Sequence, residues 1–245
     1  MHELSAQIMG RSGTARIALF VVRDPLAWIR SVHEQTIKEG RSENGTAFLQ
    51  LHRNLIESLL DLKRIIALFR SEFDKVVVLN SDDLRENPDR FWSEYETQLD
   101  APRPSSSIID KVSKDEHLSN ASLKDRLSYL AAFNCTFSLL NEACAGLSDV
   151  PGFVDSERRR LIPKFADTSR WATRRIAEYA DIDKLERLGE LMGYPLEPDF
   201  QHLPLDADLI RFIETRFCDA LAELPSFPAE RVAQYRLSLE TADKV

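Results

Sequence analysis

Three cysteines in 245 residues, Cys135, Cys144 and Cys218, are too few and too scattered for a disulfide framework or a zinc site. Each falls among helix-like residues, where packing is the ordinary role, and a reducing compartment is expected. No apolar run approaches the roughly 18 residues needed to cross a bilayer, so no transmembrane segment is expected. The opening stretch, MHELSAQIMGRSGTAR, lacks a basic start followed by a long apolar region. No secretory signal is therefore expected, and the cytoplasm is the expected location. Basic residues are outnumbered 32 to 40, for a net charge of −8, which argues against a general nucleic-acid binder. The one basic triplet, Arg158, Arg159 and Arg160, reads as a solvated face. No G-x-x-x-x-G-K-[ST] phosphate loop occurs anywhere.

What is present is an alternation of short apolar runs with helical periodicity. RIALFVV, residues 16–22, and KVVVL, residues 75–79, each read as a strand buried on both faces of a parallel sheet. Between them Phe48, Leu51, Leu55, Leu59, Leu62, Ile66 and Phe69 step by threes and fours, which predicts one amphipathic helix over 47–71. Strand, helices and strand form the crossover of a parallel sheet. Asp24-Pro25 follows the first strand and Asn87-Pro88 the second, each a cap residue with proline at the first helical position. Phe91, Trp92, Tyr95 and Leu99 then point the second helix toward a core. Residues 100–122 read as a long loop. Beyond it, apolar stripes over 122–146, 168–192, 205–223 and 228–241 predict helices.

Arg23 stands where the first strand gives way to a helix, in the crevice where open α/β sheets bind ligands. A helix N-terminus favours an anion, and a guanidinium adds a planar, permanently charged fork suited to phosphate. Ser31 lies eight residues further on. At about 100° per residue it projects away from the line of Leu26, Ile29 and Ile37, where its hydroxyl would sit beside a bound phosphate. The alternative is that Arg23 pairs with a carboxylate such as Asp24 or Asp83 and that Ser31 is a surface hydroxyl. These residues alone leave the two readings level.

VVRDPLAWIRSVHEQ, residues 21–35, resembles the 3′-phosphate-binding segment of the sulfotransferases, which use 3′-phosphoadenosine 5′-phosphosulfate (PAPS). VVVLNSDDLRENPDRFWSEYETQL, residues 76–99, is similar to that family's second strand, acidic turn and Pro-started helix. LSNASLKDRLSYLAAFN (118–134) resembles an Asn-x-Ser-Leu segment of bacterial members, and RRIAEYADIDKLERLGELMGYPL (174–196) a late helix. The resemblance implies an α/β fold: a partial parallel sheet of the P-loop/sulfotransferase type with a large helical C-terminal part. Residues 1–200 would be the sulfotransferase-like domain, N-terminally incomplete, and 201–245 a C-terminal helical extension. It further implies that Arg23 and Ser31 bind the 3′-phosphate of PAPS, that no metal is needed, and that a sulfuryl group passes to a hydroxyl acceptor, a small molecule or carbohydrate by family analogy. The competing implication is a degenerate, non-catalytic domain that binds a nucleotide or a protein.

In the family a glycine-rich loop between a first strand and its helix cradles the 5′-phosphosulfate. MGRSGTAR, residues 9–16, imitates that loop but runs straight into the strand, so it reads as a turn. The chain is expected to begin inside the fold or to have lost the first βα unit. His33, next to Glu34, is the tempting replacement base; it falls on the apolar line of α-helical positions, and a structural histidine is the commoner outcome there. His52, His117 and His202 have no cluster about them that suggests metal or general-base chemistry. Asp82 and Asp83, at the end of a strand, are expected to cap a turn or pair with an arginine.

Overall fold

A computed structural model describes residues 15–38, 40–107 and 202–242, together with 127, 128, 130–132, 134, 135, 187, 190, 191, 193 and 200. The described fold is mostly helical around a small parallel sheet of two strands, compatible with an α/β class. The chain forms two compact units. One gathers residues up to Leu26, Asn54–Arg103 and Asp206 onward; the other gathers Ala27–Arg53 and Pro104–Leu205.

In the first unit β1 (Ile17–Val22) pairs in parallel with β2 (Lys75–Asn80), in register from Ile17 opposite Lys75 to Val22 opposite Asn80. Between them the chain runs through α1 (Pro25–Lys38), α2 (Gly45–Leu60) and α3 (Leu62–Glu72). The expected single helix over 47–71 is therefore two. Asp61 interrupts it, and its carboxylate accepts the Arg64 N–H at 3.1 Å as the N-cap of α3. The apolar stripe divides accordingly. Ile56, Leu60, Leu62 and Ile66 are buried in this unit and Phe48 in the other, whereas Leu51, Leu55 and Leu59 are exposed.

Two helices follow β2. Asn80 caps α4 (Ser81–Glu86) by accepting the Asp82 N–H at 3.0 Å. Asn87 caps α5 (Pro88–Leu99), accepting the Arg90 N–H at 3.3 Å with Pro88 at the start, as the Asn-Pro pair predicts. Phe91 of α5 packs on Val77 and Leu79, joined by Trp92, Tyr95 and Leu99, so these aromatics serve the core. The strands differ from the expectation that both are buried on both faces. Val77 to Asn80 of β2 are buried, but Ile17, Leu19 and Val21 of β1 remain 36, 43 and 55% exposed. The reason is coverage: α5 closes that face over β2, and no described element closes it over β1. On the opposite face Phe20 meets Phe69 of α3 edge-on, ring centroids 4.9 Å apart.

The C-terminal helices complete this unit. Asp206 caps α6 (Ala207–Ile213), which continues through a π-helical turn (Glu214–Cys218) into α7 (Asp219–Ala222). After a turn, α8 (Ala229–Ala242) brings Val232, Tyr235 and Leu239 into the interior. These helices match the periodicity of 205–223 and 228–241. Cys218 is buried and burial raises its thiol pKa to about 12, the inert state of a packed cysteine. Cys135, in contrast, is exposed rather than packed. Cys144, Arg158–Arg160 and most of the helices expected over 122–146 and 168–192 lie outside the described residues.

In the second unit Ile37 of α1 clusters with Leu127, Leu130, Ala131 and Phe200. Just past the end of α1 the chain turns at Gly40, whose φ of 101° suits a residue without a side chain, and the Asn134 amide donates to the Ile37 carbonyl at 2.8 Å. Gly45, at the start of α2, donates its N–H to the Phe200 carbonyl at 2.9 Å. A Cβ there would stand 2.0 Å from the His202 carbonyl oxygen, so only glycine allows this approach. No helix among the described residues is long and apolar enough to cross a membrane.

Candidate anion site at the strand ends

Because β1 and β2 are parallel and in register, their C-terminal ends lie side by side, Val22 beside Asn80. The residues that follow interlock. The Ser81 hydroxyl donates to the Val22 carbonyl at 3.1 Å, and the Asp24 N–H donates to Asp82 Oδ2 at 2.8 Å. Tyr235 of α8 shares its hydroxyl proton between Asn80 Oδ1 and Asp82 Oδ2, each at 2.8 Å. Ser238, one turn on, donates to Asp24 Oδ2 at 2.7 Å. Burial first, and then the bond to Asp82, raise the Tyr235 pKa, so the phenol stays a donor.

Asp83 is the electrostatic centre of the same region and is 1% exposed. Its Oδ1 accepts from Arg231 Nε at 2.9 Å and Nη2 at 2.6 Å, and its Oδ2 accepts from Arg90 Nη2 at 2.9 Å. Arg231 also meets Glu86 at 2.6 Å and Gln234 at 2.7 Å. Burial opposes the charge of Arg231, and the bonds to Asp83 and Glu86 outweigh it, leaving the guanidinium pKa raised. Asp82 and Asp83 thus take the structural roles expected of them, the first at the turn and the second with arginines.

Arg23 is half-buried beside this network. Its proposed structural partners are otherwise engaged: Asp83 by Arg231 and Arg90, Asp24 by Ser238. The Arg23 guanidinium has no hydrogen-bond or ion-pair partner among the described residues. The boundary between the compact units falls within α1, so Arg23 belongs to the first unit and Ser31, an exposed residue of that helix, to the second.

His33 is 1% exposed, with its ring between Phe48 and Phe200 at centroid distances of 4.9 and 5.8 Å. Its Nε2 lies 2.8 Å from the Glu43 carbonyl oxygen, which accepts from the neutral Nε2–H tautomer. Burial lowers its pKa, against the weaker opposing pull of that bond and of Glu34 and Glu43. These are the surroundings of a structural histidine. The loop-like stretch at 9–14 and His117 lie outside the described residues. Among the described residues no group of three or more His, Cys, Asp or Glu side chains is arranged to hold a metal.

The contributions of Arg231, Tyr235 and Ser238 escape a reading by motif. Their spacing of four and then three residues places them on one face of α8. A polar triad interleaved with Val232 and Leu239 was the available signal, but nothing local says what that face meets. Comparisons with family models, with curated proteins and with solved structures give no match for the chain.

Proposed function

We propose that Arg23 binds the 3′-phosphate of an adenosine 3′-phosphate nucleotide, and that the chain is a sulfotransferase-type protein acting with PAPS on a hydroxyl acceptor. The observation that carries this reading is the guanidinium of Arg23, which has no partner among the described residues and stands at the C-terminal end of a parallel strand, immediately before a helix. A phosphate monoester calls for a planar fork of donors and a charge that does not titrate, and Arg23 supplies both. The surrounding acids do not compete, since Asp24, Asp82 and Asp83 each accept from other donors. Ser31, exposed on α1, is the second ligand by the sequence resemblance. PAPS, when bound, supplies an activated sulfuryl group; carbohydrate is the acceptor class by family analogy alone. The fold class supporting this reading is the coarse one, helices about a parallel sheet, and its P-loop-like identity is part of the proposal. His33, enclosed by aromatic rings, is not assigned as the base.

The second reading is a nucleotide-binding domain without transferase activity. It is favoured by the sequence of residues 9–16, MGRSGTAR, which reads as a turn and not as a phosphate loop. Thermal melting with adenosine 3′,5′-bisphosphate, with 5′-AMP and without ligand tests the shared premise, with Arg23→Ala as the control. A ligand at about a hundred times its dissociation constant adds ~2.7 kcal/mol. A rise specific to the 3′-phosphorylated nucleotide and lost in Arg23→Ala supports the site. Transfer of labelled sulfate from PAPS to a panel of hydroxyl acceptors then separates the two readings.

A further inference from the structure

Arg23 is held through its backbone. The peptide unit before it is tied to β2's end by the Ser81 hydroxyl on the Val22 carbonyl, at 3.1 Å. The peptide unit after it is tied by the Asp24 N–H on Asp82 Oδ2, at 2.8 Å. Asp82 in turn accepts the hydroxyl of Tyr235, at 2.8 Å, and the Asp24 carboxylate accepts that of Ser238, at 2.7 Å. Both hydroxyls come from α8, which the buried Arg231–Asp83 contact of 2.6 Å fastens to the same turn. A guanidinium with no partner among the described residues thus stands on a backbone clamped from both sides, and the outer layer of the clamp comes from residues more than 200 positions away in the chain.

We infer that Asp82 and Tyr235 are positioning residues for Arg23: they fix the strand-to-helix turn from which its guanidinium reaches an anion. The identity of that anion as a 3′-phosphonucleotide rests on the function proposed above; the clamp itself does not. A long side chain held by a rigid backbone loses less freedom on binding, so loosening the turn weakens capture without removing a ligand-contacting group. Ser238 and Ser81 support the same turn, but Asp82 joins the two layers.

The test uses the full chain with Tyr235→Phe, Asp82→Ala and Asp82→Asn, each also combined with Arg23→Ala. Amide hydrogen exchange at Asp24 reports the turn directly, and titration with adenosine 3′,5′-bisphosphate and 5′-AMP reports binding. Tyr235→Phe, which removes one hydroxyl, is expected to speed exchange at Asp24 and weaken bisphosphate binding about fivefold, the loss of one hydrogen bond. Asp82→Ala is expected to do more, while Asp82→Asn, which keeps an acceptor oxygen, retains most of the affinity. In the Arg23→Ala background Tyr235→Phe should no longer alter binding, which a merely stabilising residue would not show. Unchanged exchange at Asp24 in Tyr235→Phe and Asp82→Ala overturns the assignment. So does an equal loss of affinity with and without Arg23. Faster exchange in a protein that binds neither nucleotide supports the clamp and removes the nucleotide reading.

Discussion

Each compact unit buries a side chain able to carry charge, and the two solve the problem in opposite ways. In the first, Asp83 is surrounded by cations: two donors of Arg231 and one of Arg90 lie within 2.9 Å of its oxygens. In the second, His33 is equally buried, but its ring lies against Phe48 and Phe200 and its Nε2 against a neutral carbonyl. The difference follows from what each group can give up. Guanidinium cannot lose its proton in water's pH range, so a buried arginine must be matched by an anion. Imidazole can lose its proton, and burial lowers the His33 pKa until the neutral ring is what is stored. One unit keeps its charge and compensates it; the other removes it.

The contrast can be broken most severely at Asp83. Asp83→Ala leaves two arginines without their shared carboxylate and should cost ~3–5 kcal/mol in chemical denaturation. Replacing both partners, Asp83→Leu with Arg231→Met, should recover most of that loss, since the expense lies in the orphaned charge. Recovery absent from the double variant would mean that the network contributes more than mutual neutralisation.

Gly45→Ala should cost about 1–3 kcal/mol, because its Cβ would meet the His202 carbonyl at 2.0 Å and push away the segment that presses Phe200 against His33. It also sharpens the comparison. Admitting water beside the ring should bring the His33 pKa back toward its ordinary value, a movement visible by NMR titration of the ring protons.

The pH dependence of the second unit is the next largest effect. His33 titrates lower in the fold than its ordinary 6.5, so the unfolded chain binds the proton first. Stability is therefore complete above pH ~6.5 and falls as the pH drops through the folded value, by at most ~1.4 kcal/mol per pH unit from this one group. His33→Phe should flatten that slope relative to the parent in melting curves taken from pH 7 to 5. A parallel slope in both proteins would assign the acid sensitivity to other groups. The smallest effect is expected at Leu55, exposed on α2, where Leu55→Gln should change stability by less than about 0.5 kcal/mol. A large loss there would reveal that the exposed stripe Leu51, Leu55 and Leu59 is covered in solution.

Local signals were legible wherever one residue's chemistry sufficed. The apolar runs at 16–22 and 75–79 are the two strands, Asn87-Pro88 starts a helix, and the 205–223 and 228–241 periodicities are helical. The same reading failed where the answer depended on a distant partner. Ile17, Leu19 and Val21 look like Val77 and Leu79 in sequence, yet only the latter pair lies under α5. Seven apolar residues in step predict one helix over 47–71, but a single Asp61, whose capping bond breaks the run, makes it two. The place of Arg23 after a strand marks it in the sequence, but that it has no partner among the described residues depends on Arg231 and Arg90 having engaged Asp83 instead.

By itself the sequence determined the strands at 17–22 and 75–80, the helix begun by Asn87-Pro88, which arginine stands at the end of β1, and that His33 falls on an apolar helix face. Those are questions of periodicity, capping and local dihedral preference, settled over a few residues. Only the tertiary structure decided that Tyr235 and Ser238 reach the turn around Arg23 and that Asp83 is shared by two arginines. Only it decided, too, that His33 is shut in by Phe200. Apart from Arg90, which lies seven positions from Asp83, each of those outcomes joins residues 148 or more positions apart. Periodicity can say that a helix face is apolar or polar; what that face meets is chosen by the packing of the whole chain.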